Sequence, residues 1–290
     1  MIEEFRNKKY MMHKYWGKKP AKELNELIYR FSNEGDILLD PFAGYGGFSS
    51  EAILANRNVI SNDLNPFSGF INKVLLSYNI DFYKIHEYIE IIENETAELR
   101  NYWYGYVYEG QEAEIVAALR KNNGSINKLK IILKGKCPQI EIPLTEDYIN
   151  DFKIREEKYQ IEDWYPTDEL ISNSRISAKK GMTVNSLFDV RPLACHAKLY
   201  SVISNLPASE EKDVLMLAFT SNLANCSKLV PPIKSRGEMS QGAWMTGFYI
   251  GENYLENNVF HYFKNRLSKV IAGKEEYINQ YHTPYAKGEF

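Results

Sequence analysis

The sequence predicts an α/β protein whose parallel sheet begins near residue 37 and carries a ligand site at its carboxyl edge. Three observations support this fold class. Residues 37–39 form a short apolar run, typical of a buried parallel strand, and three glycines follow between positions 44 and 47. Residues 20–77 alternate between helical and strand patterns, which is the order of a parallel α/β sheet. Residues 102–165 instead alternate like the strands of an inserted, mainly β subdomain.

The helices and strands of residues 20–77 follow from spacing and from turn residues. Pro20 suits the first position of a helix, and Gly35 suits its C-terminal end. Residues 48–55 form a second helix after the glycines, residues 58–62 form a second strand, and Pro66 opens a third helix. The apolar face of the first helix consists of Leu24, Leu27, Ile28 and Phe31. That of the third helix consists of Phe67, Phe70, Ile71, Val74 and Leu75.

The remaining residues divide into three kinds of segment. Residues 82–101 have the spacing of a long amphipathic helix. Short strands are predicted at residues 104–108, 129–133 and 139–142, with a turn signal at residues 122–125. Two further helices follow, the second capped by residues 209–212. Residues 230–248 contain two prolines and three glycines and are predicted to form a long irregular loop.

The glycine turn is suited to a small polar ligand, because it brings backbone close and points a helix N-terminus at it. A dinucleotide site has the pattern G-x-G-x-x-G, and Asp40 would repel a pyrophosphate. Asp40 suits a ligand with a cationic end, such as the ammonium of S-adenosylmethionine (SAM). Asp63, which follows the second strand, suits the two hydroxyls of a ribose. The structural alternative is a glycine turn that only packs helix on strand.

Three segments carry a resemblance to the amino-methylating DNA methyltransferases. Asp40-Pro41-Phe42-Ala43-Gly44-Tyr45-Gly46-Gly47 is similar to their SAM-binding motif D-P-F-x-G-x-G, and Asn62-Asp63-Leu64-Asn65-Pro66 resembles the D-x-N-P that ends their second strand. Residues 12–20 resemble the H-K-Y-W-x-K-K-P segment that precedes the first strand in one branch. Residues 184–191 and 256–266 are similar to two later signatures, D-L-F-x-x-R and E-x-N-V-x-x-x-F-x-x-R.

The resemblance implies a Rossmann-like SAM-dependent methyltransferase sheet, of which only the first strands are evident here. It divides the chain into a SAM-binding α/β part (1–101), an inserted β-rich subdomain (102–165) and a helical part (166–290). The helical part would complete the methyltransferase domain and contact DNA or a partner. The cofactor would be SAM, without a metal. The implied cofactor-binding residues are Tyr15, Trp16, Lys18, Asp40, Pro41, Phe42, Ala43, Gly44, Gly46, Gly47, Asp63, Leu64, Asn65 and Pro66.

Individual roles follow from the same resemblance. The glycines would form the turn under SAM, Asp40 would hold the methionine end, and Asp63 the ribose hydroxyls. Residues 65–67 would line the adenine pocket. Residues 15–19 would close over the methionine side, where Lys18 or Lys19 would meet the carboxylate.

No catalytic residue is assigned, because the motif that accepts the target amino group is missing. Amino methylation needs a flipped base held by acceptors, which the family supplies as D-P-P-Y or a close variant. The one Pro-Pro, Pro231-Pro232, has no acceptor before it and no aromatic after it, and Thr283-Pro284-Tyr285 has a single proline. The chain is then one subunit of a split enzyme, a shortened form of a longer enzyme, or an inactive SAM-binding regulator. An RNA-directed enzyme is a further alternative.

The split enzyme is the preferred interpretation, and it implies two partners. A second methyltransferase subunit would carry the D-P-P-Y-type motif, and double-stranded DNA would be the substrate, methylated at adenine N6 or cytosine N4. Such an enzyme would serve restriction-modification or phage defence. A half-sheet would also leave an unpaired edge and an uncovered apolar face, which a partner would cover.

Composition indicates a cytoplasmic protein with no membrane segment and no signal peptide. The 290 residues are 44% hydrophobic, and the three cysteines show no metal-ligand spacing. A zinc ribbon is common near residues 102–165 in the branch that residues 12–20 resemble, and only Cys137 would remain of it. Net charge is −3, but basic residues concentrate in residues 1–22 and 115–140. The lysines at 128, 130, 134 and 136 would contact DNA or belong to a structural cover.

Overall fold

A computed structural model gives the fold of residues 7–136 and 138–282, which form two compact units. Within this described part, the first unit comprises residues 7–87, 207–221 and 265–282, and the second comprises residues 88–206 and 222–264. These boundaries differ from the predicted division into 1–101, 102–165 and 166–290, because later helices return to the first unit. Cys137 and the segment Thr283-Pro284-Tyr285 lie outside the described residues.

The elements alternate in the first quarter of the chain and become mainly β in the middle. Mixed helices and sheets confirm the predicted α/β class. The helices are α1 (Ala21–Phe31), α2 (Gly47–Leu54), α3 (Pro66–Leu76), α4 (Phe82–Tyr104), α5 (Glu146–Lys158), α6 (Val190–Asn205), α7 (Glu210–Leu223) and α8 (Val259–His282). The strands are β1 (Ile37–Asp40), β2 (Asn58–Ser61), β3 (Gly105–Tyr108), β4 (Gln111–Lys121), β5 (Ile126–Leu133), β6 (Gln139–Pro143) and β7 (Asn253–Asn257).

In the first unit, β1 and β2 pair in parallel, with Ile37 opposite Asn58 and Asp40 opposite Ser61. One face of this pair is covered by α1 and α2 through a small apolar cluster that includes Ile28 and Ala52. The prediction of α1 needs a small correction. Pro20 caps the helix rather than starting it, and the helix ends before Gly35, which has positive φ in the turn to β1.

The other face of the β1–β2 sheet is open. Ile37, Leu39 and Ile60 point away from the helices and are 69%, 61% and 57% exposed. In the part of the chain that the structure describes, neither strand pairs with a further strand. Each strand therefore keeps one free edge of backbone donors and acceptors, next to exposed apolar side chains.

The second unit contains an antiparallel sheet in the order β3-β4-β5-β6, with β7 also paired to β4. The predicted turn at residues 122–125 joins β4 to β5. The sheet is not complete within residues 102–165, because β7 pairs with β4 from Ala117↔Asn257 to Lys121↔Asn253. The mainly β character of this region agrees with the sequence pattern, but its closing strand comes from much later in the chain.

Buried charges connect the elements of the second unit. The Glu256 carboxylate on β7 accepts hydrogen bonds from Arg120 on β4 and from Arg191 on α6, and all three side chains are buried. The Arg120 guanidinium also binds Glu156 on α5, at 2.9 and 3.0 Å. Glu256 and Arg191 belong to the two late signatures, so these motifs contribute to a buried structural network.

The lysines of the β subdomain are mostly paired with acids. Lys128 contacts Glu238 and Lys134 contacts Glu112 at 2.5 Å, while Lys130 Nζ donates to the carbonyl of Met239. This pairing favours the structural alternative for these lysines over a DNA-contacting role. Among the described helices, none is both long and apolar enough to span a membrane. The described residues also contain no group of three or more His, Cys, Asp or Glu suited to hold a metal ion.

Candidate functional site

The loop between β1 and α2 is shaped by glycines. Gly44 and Gly46 have φ of 51° and 89°, values that residues with a Cβ rarely adopt. A Cβ at Gly46 would lie 2.9 Å from Asn72 Cγ and closer still to Asn72 Oδ1. The Asn72 amide donates to the Gly44 carbonyl at 3.0 Å. The α3 helix therefore braces the loop at a position where only glycine fits.

Asp63 closes this loop from the end of β2. Its Oδ2 accepts the Gly44 N–H at 2.7 Å, and its Oδ1 accepts the Asn65 N–H at 2.8 Å. These hydrogen bonds hold the pKa of Asp63 below its usual value, so the group is ionised at neutral pH. A carboxylate offers about four acceptor positions, so Asp63, which also has the Ser68 hydroxyl as a donor, can still accept bonds from ligand hydroxyls.

Asp40 lies at the end of β1 in a different environment. Its Oδ1 accepts a long bond from the Phe42 N–H at 3.3 Å, and Ser49 Oγ lies 3.5 Å from Oδ2. Burial raises the pKa of Asp40, and the nearby negative charge of Asp63 adds to the shift. The two carboxylates thus have shifts in opposite directions, and Asp40 has the greater need of a cationic partner.

A cavity of about 520 Å³ opens at the carboxyl ends of the two strands. This volume is within the range of small-molecule sites. Its wall combines both acids, the glycine loop and the aromatic segment that precedes α1. The predicted site residues that line it are Tyr15, Trp16, Lys18, Asp40, Phe42, Ala43, Gly44, Gly47 and Asp63.

Other predicted residues lie beside the cavity rather than on its wall. Gly46 caps α2, and Pro41 belongs to the same loop. Asn65 caps α3 by accepting the Phe67 N–H at 3.1 Å, Pro66 is the first residue of that helix, and Leu64 is 99% exposed. An adenine pocket at residues 65–67 therefore remains a prediction.

Lys18 points back into its own segment. Its Nζ donates to the carbonyls of Tyr10 and His13, the latter at 2.6 Å, and lies 3.7 Å from the centroid of the Tyr45 ring. Burial lowers the pKa of Lys18 to about 8, and the charge of Arg266 contributes. Because this ammonium already has backbone acceptors, Lys19, which is exposed on the cavity wall, is the better candidate for a ligand carboxylate.

Sequence reasoning missed the residues that anchor the aromatic segment. Tyr10 lines the cavity and donates to Glu51 on α2 at 2.5 Å. Lys9 was counted in the basic region of residues 1–22, but it is buried and pairs with Glu51 at 2.7 Å. Tyr45 Oη donates to the Lys9 carbonyl at 2.6 Å. No motif marks Lys9, Tyr10 or Glu51, and Tyr45 occupies a variable position of the glycine motif, since their roles depend on contacts between separate elements.

Comparison with known proteins agrees with a methyltransferase-type site. Residues 2–69 match the model of a family described as DNA methylase. Two curated relatives are tRNA (guanine(37)-N(1))-methyltransferases, from Pediculus humanus subsp. corporis and Drosophila pseudoobscura pseudoobscura. They are 44% and 43% identical to this chain over 54 residues, which is 19% of this chain.

The chain spans only 11% and 12% of the lengths of these two relatives. No solved structure matches the chain significantly. The matches support a methyltransferase function, and SAM is the methyl donor that such a family implies. The cavity fits this cofactor, because an ionised acid that can accept hydrogen bonds and a second acid in need of a cation share one wall.

Proposed function

We propose that the first unit binds SAM as the methyl-donor half of a DNA methyltransferase that modifies adenine N6 or cytosine N4. The cavity at the carboxyl ends of β1 and β2, with Asp40, Gly44 and Asp63 on its wall, carries the proposal. The match of residues 2–69 to DNA methylases supports it. Binding of SAM to the isolated chain, measured by isothermal titration calorimetry, is the primary test.

Each residue has a separate task in this proposal. Asp63 accepts bonds from the ribose hydroxyls, Asp40 attracts the ammonium of the methionine end, and Gly44 lets the backbone approach closely. Bound SAM supplies a methyl group that its sulfonium already activates. The protein's contribution is then to hold the donor and to align the acceptor amino group with it.

Replacing Asp63 by alanine should weaken SAM binding by about 1–3 kcal/mol, because charged hydrogen bonds to the hydroxyls are lost. Part of this effect comes from the Gly44 N–H, which also loses its acceptor. Asp63→Asn keeps one acceptor oxygen and should have a smaller effect. Glu34→Ala, at an exposed acid of the same unit, is the control. Unchanged calorimetric affinity for Asp63→Ala would mean that the ribose lies elsewhere.

The affinity for SAM should also fall as the solution is acidified. The folded pKa of Asp40 is raised, so protonation removes its attraction for the ligand ammonium at a higher pH than for an ordinary carboxyl. Asp63, whose pKa is lowered, stays ionised over the same range. Affinity should be full near pH ~7 and should decline as pH drops through the raised pKa. The Asp40→Asn variant should bind SAM weakly, and its affinity should not decline with pH in this way. An equal decline in the variant and the unaltered protein would contradict the assignment of Asp40 to the ligand ammonium.

The acceptor side of the reaction belongs, in this proposal, to a second polypeptide. It carries the D-P-P-Y-type motif, and the complex acts on double-stranded DNA in restriction-modification or phage defence. The free edges of β1 and β2 and the exposed Ile37, Leu39 and Ile60 support such a partner. Phe42, 88% exposed on the cavity wall, continues this apolar surface toward the site.

RNA methylation is the second candidate, because the two curated relatives are described as acting on tRNA. A catalytically inactive SAM-binding regulator is the third. Transfer of labelled methyl groups from SAM to duplex DNA and to tRNA, assayed side by side with the assembled complex, separates the three. Label in DNA alone supports the main proposal, label in tRNA supports the second, and SAM binding without transfer to either supports the regulator.

A further inference from the structure

Two cations hold the backbone turn that leads into the cavity wall. The carbonyls of residues 10 and 13 accept hydrogen bonds from Lys18 Nζ. The carbonyls of residues 11 and 12 accept from Arg266 Nη2, at 3.2 and 2.8 Å. Four consecutive carbonyls thus have side-chain donors from Lys18 or Arg266. We refer to residues 10–13 as the clamped turn.

Arg266 reaches this turn from α8, and its position is itself fixed. Its Nε donates to Ser221 Oγ on α7 at 2.9 Å, so the guanidinium bridges that helix and the clamped turn. Arg266 is the last residue of the signature at 256–266, whose first residue, Glu256, belongs to the buried network of the second unit. Its guanidinium contacts backbone and a hydroxyl, and no acid pairs with it among the contacts of the described residues, so its role is to donate hydrogen bonds at fixed positions.

The same helix also supports the turn itself and the two residues before it. Gly273 lies so close that a Cβ there would be 2.8 Å from the Lys8 carbonyl and 2.9 Å from Met12 Sδ. Glu276 accepts the Lys9 N–H at 2.7 Å, and Gln280 accepts Lys9 Nζ at 3.0 Å. Arg266, Gly273, Glu276 and Gln280 recur at helical spacing and form one face of α8.

The clamped turn is coupled directly to the cavity. Lys18 both donates to the turn and lines the cavity, and Tyr15, two residues after the turn, lies against the glycine loop. A Cβ at Gly44 would be 3.1 Å from the Tyr15 ring, and Tyr15 Oη lies 3.0 Å from Ser68 Oγ. A shift of the turn therefore moves the wall at residues 15–19 relative to Gly44.

We propose that Arg266 and Lys18 are positioning residues for SAM, which fix the cavity wall through the clamped turn. This inference rests on the proposed function. Loss of Arg266 leaves the carbonyls of residues 11 and 12 without these donors, and the turn then rearranges to find water. The wall at residues 15–19 moves with it, whereas Asp63, in the loop just after β2, stays in place. Contacts to the methionine part of SAM should therefore weaken, whereas contacts to the ribose should not.

Arg266→Met tests this with two ligands. SAM affinity should fall about tenfold, while adenosine, which lacks the methionine part, should bind as tightly as to the unaltered protein. Arg266→Lys keeps the charge but has a single donor nitrogen in place of the planar guanidinium, and it should recover part of the SAM affinity. Lys269→Met, at an exposed cation on the same helix, is the matched control. Thermal unfolding of each variant shows that binding is measured on folded protein.

Each result has a defined meaning. Unchanged SAM affinity, or equal losses for SAM and adenosine, would overturn the positioning role. If Arg266→Met does not fold, Gly273→Ala replaces it, because the added methyl displaces Met12 and the Lys8 carbonyl without removing a charge. The same selective loss of SAM is then expected. Unaltered protein that binds neither ligand would refute the proposed function, and the inference with it.

Discussion

Replacing Glu256 by alanine is expected to lower the free energy of unfolding by about 3–5 kcal/mol, the usual cost of removing one member of a buried ion pair. The Glu256 carboxylate is only 2% exposed and binds two buried guanidinium groups, those of Arg120 and Arg191. Without this carboxylate, both guanidinium groups stay buried with less negative charge beside them. Arg191 loses more of its electrostatic stabilisation than Arg120 does, because Arg120 still pairs with Glu156 and Asp189.

The pH dependence of this contribution can be worked out from the same contacts. Burial alone raises the pKa of Glu256, but attraction to Arg191 and Arg120 outweighs it and the pKa is lowered overall. A lowered folded pKa means that the stabilisation is present above the unfolded value of 4.5 and is lost as pH falls through the folded value. The difference in the free energy of unfolding between the unaltered protein and Glu256→Ala should therefore become smaller in acid.

Urea unfolding followed by circular dichroism measures this difference. Glu256→Gln keeps the shape and one acceptor but removes the charge, so it should fall between the unaltered protein and the alanine variant. Glu162→Ala, at an exposed acid of the same unit, should change stability by less than about 0.5 kcal/mol. A loss below about 1 kcal/mol for Glu256→Ala would show that the two arginines find other partners at little cost.

The central strand β4 shows why part of the fold was not predictable. Residues 111–121 read Q-E-A-E-I-V-A-A-L-R-K, which is rich in helix-forming residues and lacks the alternation of a half-exposed strand. In the structure β4 pairs with β3, β5 and β7, and residues 115–118 are buried consecutively. Burial inside the sheet overrides local propensity, and no local pattern reports it.

Contacts between residues that are far apart in sequence set a second limit on what could be predicted. The site residues Asp40, Gly44 and Asp63 were found because a strand, a glycine turn and a terminal acid are local patterns. The network around Glu256 was not found, because Arg120, Arg191 and Glu256 are far apart in sequence. The contacts of Lys18 were missed for the same reason, since they require the ring of Tyr45 beside a turn that α8 supports.

The open face of the β1–β2 sheet carries the prediction with the largest functional effect. A two-stranded parallel sheet is not stable when its apolar face is exposed to water. A strand added parallel to β1 would bring its own carboxyl end beside Asp40, where the cavity lies. A second copy related by a two-fold axis would pair β1 antiparallel and would place its own Asp40 at the far end. A different polypeptide that carries the acceptor motif therefore fits the site better.

Co-expression with the product of the adjacent gene, where it carries a D-P-P-Y-type motif, should give a stable heterodimer with methyl-transfer activity that neither chain has alone. The interface should be large and apolar, on the order of 2,000 Å² or more. Leu39→Asp should abolish the heterodimer and the activity, because it places a charge in the centre of the contact. SAM binding by the isolated variant should change little, since Leu39 is exposed there.

Tyr83→Asp is the matched control, because Tyr83 is an 85% exposed aromatic that belongs to α4 and not to either strand of the sheet. It should preserve both assembly and activity. Size-exclusion chromatography with light scattering reports the assembly, and labelled SAM reports the transfer. A homodimer that Leu39→Asp dissociates would assign the open face to a second copy. A stable monomer that transfers methyl groups to DNA by itself would refute the split enzyme, because the acceptor would then lie within this chain.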